Sequence, residues 1–119
     1  MKEHIQYYLA SKGENPVSDF LDSLTKQQQT KALRIITYIE EYGLQAVIPH
    51  VKKLVGTPLW EIRILGKDNI RVFYVLAQEN IVLILHGFIK KKQGTPFREI
   101  DLALKRYKDW LVRKNLIDK

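Results

Sequence analysis

The chain contains no cysteine, and that absence removes disulfide staples, thiol nucleophiles and zinc–thiolate clusters. Its three histidines, His4, His50 and His86, stand at no metal-ligand spacing, so neither a metal nor another cofactor is expected. There is no glycine-rich phosphate loop and no G-x-S-x-G nucleophile elbow, which sets aside two common catalytic designs. No apolar run approaches the roughly 18 residues of a membrane span. The opening MKEHIQYYLASKGENP lacks the basic and then apolar build of a secretion signal. A cytoplasmic protein with no membrane partner is the expectation. No repeat, low-complexity tract or linker interrupts the 119 residues, which suit a single domain, 1–119, with a modest core.

Acidic residues are scarce in the second half. Residues 1–50 carry five Lys and Arg against six Asp and Glu, whereas residues 51–119 carry fifteen against seven. The formal net charge of +7 therefore divides into −1 and +8. A basic field confined to one half favours a polyanionic partner, either nucleic acid or an acidic protein.

The apolar pattern marks out the elements. In HIQYYLA, residues 4–10, Ile5, Tyr7 and Leu9 alternate to one side, as in a strand. Asn15 followed by Pro16 predicts a capped helix start, with Val17, Phe20, Leu21 and Leu24 at helical spacing. Thr25 and Gln28 form a capping-box pattern that opens a second helix. Ala32, Leu33, Ile36, Ile39 and Tyr42 make its inward stripe and Gly43 its stop. Residues 44–58, broken by Pro49 and Pro58, show no regular pattern. Lys52 and Lys53 are expected there on an exposed connection, either solvated or touching phosphate. Thr95–Pro96 repeats the cap-and-proline signal for a third helix. Ile100, Ala103, Leu104, Tyr107 and Leu111 form its apolar stripe, and Arg98, Lys105, Arg106, Lys108, Arg113 and Lys114 decorate its other faces.

Between the second and third helices lies LWEIRILGKDNIRVFYVLAQENIVLILHGFIKKKQGTP, residues 59–96. Three β-branched and aromatic runs separated by GKDN and AQEN predict two consecutive hairpins. In the first strand Trp60, Ile62 and Ile64 share one face, and Leu59, Glu61, Arg63 and Leu65 the other. In the second, Ile70, Val72 and Tyr74 oppose Arg71, Phe73 and Val75. Keeping the apolar sets together pairs Trp60 with Tyr74, Ile62 with Val72 and Ile64 with Ile70, and sets Arg63 directly across from Arg71. Like charges so placed repel, which calls for an anion between them; Glu61 as a neutralising neighbour is the alternative. A two-residue turn at Glu79–Asn80 puts His86 across from Phe73 on the arginine face, with Phe88 and Lys90 alongside. A three-residue turn puts His86 in the core instead.

LWEIR, RVFY, LHGFIKKKQGTP and ALKRY together resemble the RelE/ParE superfamily of bacterial toxins, and within it the HigB-like, phage-derived branch with its W-E-L-R, R-x-x-Y and H-G-F-x-K-K motifs. The likeness covers about residues 54–110. It implies an α/β (α+β), RelE-like fold: a small twisted antiparallel sheet, an N-terminal helix pair on one face, and a C-terminal helix. It also implies the toxin of a type II toxin–antitoxin system, an mRNA endonuclease acting on the translating ribosome. The implied partners are the ribosome, its mRNA and a helix-turn-helix antitoxin of HigA type, with operator DNA bound only by the toxin–antitoxin complex.

By the same resemblance Arg71 binds the scissile phosphate, Arg63 takes the basic position on the preceding strand, and Lys90 or Lys91 the basic position after the last strand. Where RelE-type members carry a second strand lysine, this chain has Glu61. The implied reaction is attack of a ribose 2′-OH on the adjacent phosphate without metal. Arginines stabilise the charge that gathers in its transition state, and His86 or Glu61 is the candidate for proton transfer. Lys52, Lys53, Lys91 and Lys92 would hold the RNA backbone without choosing sequence. Two rivals remain at this stage: a ParE-like gyrase inhibitor that cuts nothing, and a basic nucleic-acid-binding module without catalysis.

Overall fold

The computed structural model describes residues 4–64, 69–78, 80–91 and 96–118, with the side chains of 48 and 49 left aside. Leu65, the turn residues Gly66, Lys67 and Asp68, Glu79, Lys92 and the expected cap Thr95 lie outside the described residues. The elements run β1 (His4–Tyr7), α1 (Pro16–Ser23), α2 (Lys26–Tyr42), a 3₁₀ stretch (Leu44–His50), β2 (Val51–Lys53), β3 (Trp60–Ile64), β4 (Ile70–Gln78), β5 (Ile81–Ile89) and α3 (Phe97–Arg113). The sheet has five strands in the order β1-β5-β4-β3-β2. β1 lies parallel to β5 and the other neighbours are antiparallel.

Both helix starts form as their cap residues dictate. The Asn15 side chain accepts from the Ser18 amide, and Thr25 and Gln28 complete a reciprocal capping box. Gly43 ends α2 at φ 85°, a left-handed conformation that glycine adopts without strain. Pro96 precedes α3 rather than starting it, and no side chain caps this helix among the described residues.

The meander has the register that its apolar pattern selects: Trp60↔Tyr74, Ile62↔Val72, Arg63↔Arg71 and Ile64↔Ile70. Between β4 and β5 the register slips twice, at Leu76/Gln78 and at Phe73/Tyr74. The first slip leaves Ala77 without a partner on β4, and the second leaves Leu85 without one on β5. The two cancel, so His86 still faces Phe73.

Each face of the sheet has its own core. On one, Ile62, Ile64, Ile70, Val72 and Tyr74 pack with Val17, Leu21, Ala32, Ile36 and Ile39 of the helix pair. On the other, Phe73, Val75, Leu83, Leu85 and Phe88 pack with Ile100, Ala103 and Trp110 of α3. The C-terminal helix therefore covers part of the arginine face. Burial on both faces explains why Ile81–Leu85 of β5 read as an unbroken apolar run. Gly87 fits this double packing: the ring of Phe20 lies so close that an added Cβ would stand 2.5 and 2.8 Å from its edge. Gly87→Ala is expected to lower unfolding free energy by about 1–3 kcal/mol through overpacking, read from denaturant midpoints. An unchanged midpoint would show that Phe20 can yield.

Several expectations shift. β1 ends at Tyr7, so Tyr8 is buried in the second core and Leu9 is exposed. Leu33 and Tyr42 leave the α2 stripe for solvent, because a helix lying against a narrow sheet buries only its innermost residues. The segment 44–58, which gave no pattern, contributes the edge strand β2.

Candidate functional site

The register sets two cross-strand rows on the face shared with α3: Arg63, Arg71 and Phe88 in one, and Lys52, Glu61, Phe73 and His86 in the next. α3 lies over the β5 side, and the β3 side of the same face holds the cations. Here Glu61 sits beside both arginines. Its Oε1 is 3.8 Å from Arg63 Nε and its Oε2 3.8 Å from Arg71 Nε. The anion that the Arg63–Arg71 pairing calls for is thus, in this structure, the chain's own carboxylate.

The three side chains differ in exposure: Arg63 46%, Arg71 13% and Glu61 10%. Arg71 is thus held within the sheet face while Arg63 reaches outward. Both ion pairs are longer than a hydrogen bond. The buried Nε of Arg71 has no hydrogen-bond partner among the described residues, which leaves donor capacity beside a carboxylate.

Lys52 and Lys53, taken together from sequence, are parted by strand alternation. Lys52 pairs with Glu61 and shares the arginine face. Lys53 pairs with Trp60, holds its ammonium 5.6 Å from the Trp60 ring centre, and donates to the Thr57 carbonyl. Lys90 follows β5 and its amide donates to the carbonyl of Asn69, the residue before β4; Lys91 is exposed. Lys92 lies outside the described residues.

His86 is on the arginine face, buried beneath α3. Its Nε2 is 2.7 Å from Glu99 Oε1 and its Nδ1 3.0 Å from Arg106 Nη1. A guanidinium can only donate, so Nδ1 accepts and Nε2–H donates to Glu99: the ring is the neutral Nε2–H tautomer. Burial lowers the His86 pKa below its ordinary 6.5; Glu99 opposes this and Arg106 adds to it. The folded protein then refuses a proton that the unfolded chain takes up between 6.5 and the lowered value. This contribution to stability is fully present above pH 6.5 and is lost as pH falls through that window. Urea midpoints measured from about pH 7.5 down to about pH 5.5 are expected to fall, with a shallower slope in His86→Gln. Equal slopes would assign the titration elsewhere.

Charged residues outside the apolar stripe of α3 are engaged by the rest of the fold. Arg106 Nη1 also donates to the Leu85 carbonyl at 2.9 Å, and its guanidinium lies 5.8 Å from the Tyr8 ring centre. Tyr8 donates to Asp109 Oδ2 at 2.6 Å, and Arg113 pairs with the same oxygen at 2.7 Å while also donating to the Leu9 carbonyl. That hydrogen bond from Tyr8, with Arg113 adding to it, holds the Asp109 carboxyl below its usual pKa. Glu99, Arg106, Asp109 and Arg113 fall at i, i+7, i+10 and i+14, one helical stripe. That spacing is the signal the sequence carries, although charged helical stripes usually face water.

A profile of the family described as phage derived protein Gp49-like matches residues 19–108. Among solved structures, the chain is similar to one titled "Crystal structure of archaeal RelE-RelB complex from Pyrococcus horikoshii OT3". The match has a TM-score of 0.56 and 23% sequence identity, and covers 77% of this chain and 99% of that one. At that identity the likeness speaks for the fold alone. No curated protein sequence matches.

Proposed function

Because the chain belongs to the phage-derived Gp49-like family, a RelE/HigB-type toxin family, we propose that it is the toxin of a type II toxin–antitoxin system that cuts mRNA on the ribosome. One observation carries the chemical part: on the β3 side of the sheet face Glu61 lies between Arg63, which reaches outward, and Arg71, whose buried Nε has no hydrogen-bond partner among the described residues. A phosphodiester entering there meets two guanidiniums, with Lys52 and Lys90 as further cations and Lys91 on the RNA backbone.

In the reaction the ribose 2′-oxygen bonds to phosphorus and the bond from phosphorus to the 5′-oxygen breaks. Glu61 takes the 2′-hydroxyl proton and the departing 5′-oxygen takes one from solvent. The products are a 2′,3′-cyclic phosphate and a 5′-hydroxyl. Arg71 and Arg63 stabilise the charge on the non-bridging oxygens. His86, with both nitrogens occupied, supports the site from the α3 side of the same face instead of shuttling protons. A cytoplasmic antitoxin of helix-turn-helix, HigA type would neutralise the toxin, as RelB accompanies RelE in the solved complex, and the pair together would bind operator DNA.

The test is end chemistry. Fragments from a translating extract should accept label from polynucleotide kinase without prior phosphatase treatment, and Glu61→Gln should abolish them. Growth inhibition with intact mRNA and blocked DNA supercoiling would instead support a gyrase inhibitor. That second reading draws on the lack of a free nitrogen on His86.

A further inference from the structure

We infer that Glu99, His86 and Arg106 form a positioning clamp that orients Arg71 and Glu61 from beneath α3, on the same sheet face, without touching substrate; the link to turnover rests on the nuclease reading above. The clamp starts from a feature of β5. The slip at Leu85 takes this residue out of the β4 pairing, and Arg106 occupies its carbonyl. The same Nη1 carries two hydrogens, one for Leu85 O at 2.9 Å and one for His86 Nδ1 at 3.0 Å. Glu99, seven residues earlier on α3, takes the other side of the ring at 2.7 Å. Imidazole rotation and tautomer are both determined, since exchanging the two nitrogens would set N–H against guanidinium.

The orientation passes on through aromatic contacts. The His86 ring is stacked on Phe88, with centroids 5.5 Å apart and planes at 16°. Phe73 meets Phe88 edge-on at 5.0 Å and His86 at 6.4 Å. In the register Phe88 is the partner of Arg71, and Phe73 the partner of Glu61. The trio is therefore the wall beside both functional side chains, and the clamp sets its His86 ring. A misplacement of about 1 Å at a reacting group can cost up to about 100-fold in rate.

The experiment uses the full chain with Arg106→Met, which keeps length and packing but cannot donate. Imidazole ¹⁵N NMR should show His86 as the Nε2–H tautomer in the wild type and as a mixture in Arg106→Met, with the Arg71 Nε–H resonance displaced. Glu99→Gln, whose amide oxygen still accepts from Nε2–H, should keep the wild-type tautomer and so act as the conservative rescue. Cleavage of ribosome-bound mRNA by Arg106→Met should fall mainly in kcat with KM little changed. If Arg106→Met does not fold, Arg106→Lys is read by the same resonances, with a partial shift expected. A retained tautomer or an unmoved Arg71 resonance overturns the clamp whatever the activity. Displaced resonances in a protein whose wild type cuts no RNA would uphold the clamp and refute the nuclease reading.

Discussion

Replacing Arg71 by alanine is expected to lower cleavage of ribosome-bound mRNA by about 10²–10³-fold, the usual effect of removing one donor aimed at developing charge. Growth inhibition should disappear with it. The effect on stability has a less obvious sign. From the strand pairing alone, relief of repulsion with Arg63 would favour the variant. The structure reverses this, because Arg71 is largely buried and is one of two cations flanking a buried carboxylate. Among the described residues its loss leaves Glu61 ion-paired with Arg63 alone, at 3.8 Å, and should cost about 1–3 kcal/mol. Adding Glu61→Gln should recover melting temperature without recovering cleavage. Full toxicity from a well-expressed Arg71→Ala protein would remove Arg71 from the chemistry.

Ribosome dependence should be the larger effect. The described arginine face offers Glu61 as a base, while His86 is enclosed, neutral and bonded at both nitrogens. Arginine and lysine stabilise charge but titrate far above neutral pH, so they move protons poorly. A site of this kind gains most from a partner that holds the 2′-hydroxyl in line with the phosphate, an orientation term of up to about 7–11 kcal/mol. One mRNA presented with and without programmed ribosomes, at fixed salt because basic surfaces bind RNA in a salt-dependent way, should be cut rapidly only in the first case. Equal rates would reject the dependence.

The apolar alternation of residues 60–75 determined the pairing of β3 with β4 by itself, since a one-residue slip would have driven guanidiniums into the helix-covered core. The caps at Asn15 and Thr25 and the stop at Gly43 likewise act within a few residues of chain, and the structure reproduces them. Such features are local and can be read locally. The β2 strand is different: its three residues form a strand only because β3 offers an edge, so nothing in VKK announces it. Tertiary structure also decided that Lys52 and Lys53 part company and that α3 roofs the β5 side of the arginine face. The largest gap concerns Arg106 and Glu99, whose charges look like surface decoration in the helix pattern. Their partners, the Leu85 carbonyl and the His86 ring, are 21, 20 and 13 residues away in sequence. A slip in β5 takes Leu85 out of the β4 pairing, and Arg106 of the helix that crosses there satisfies its carbonyl.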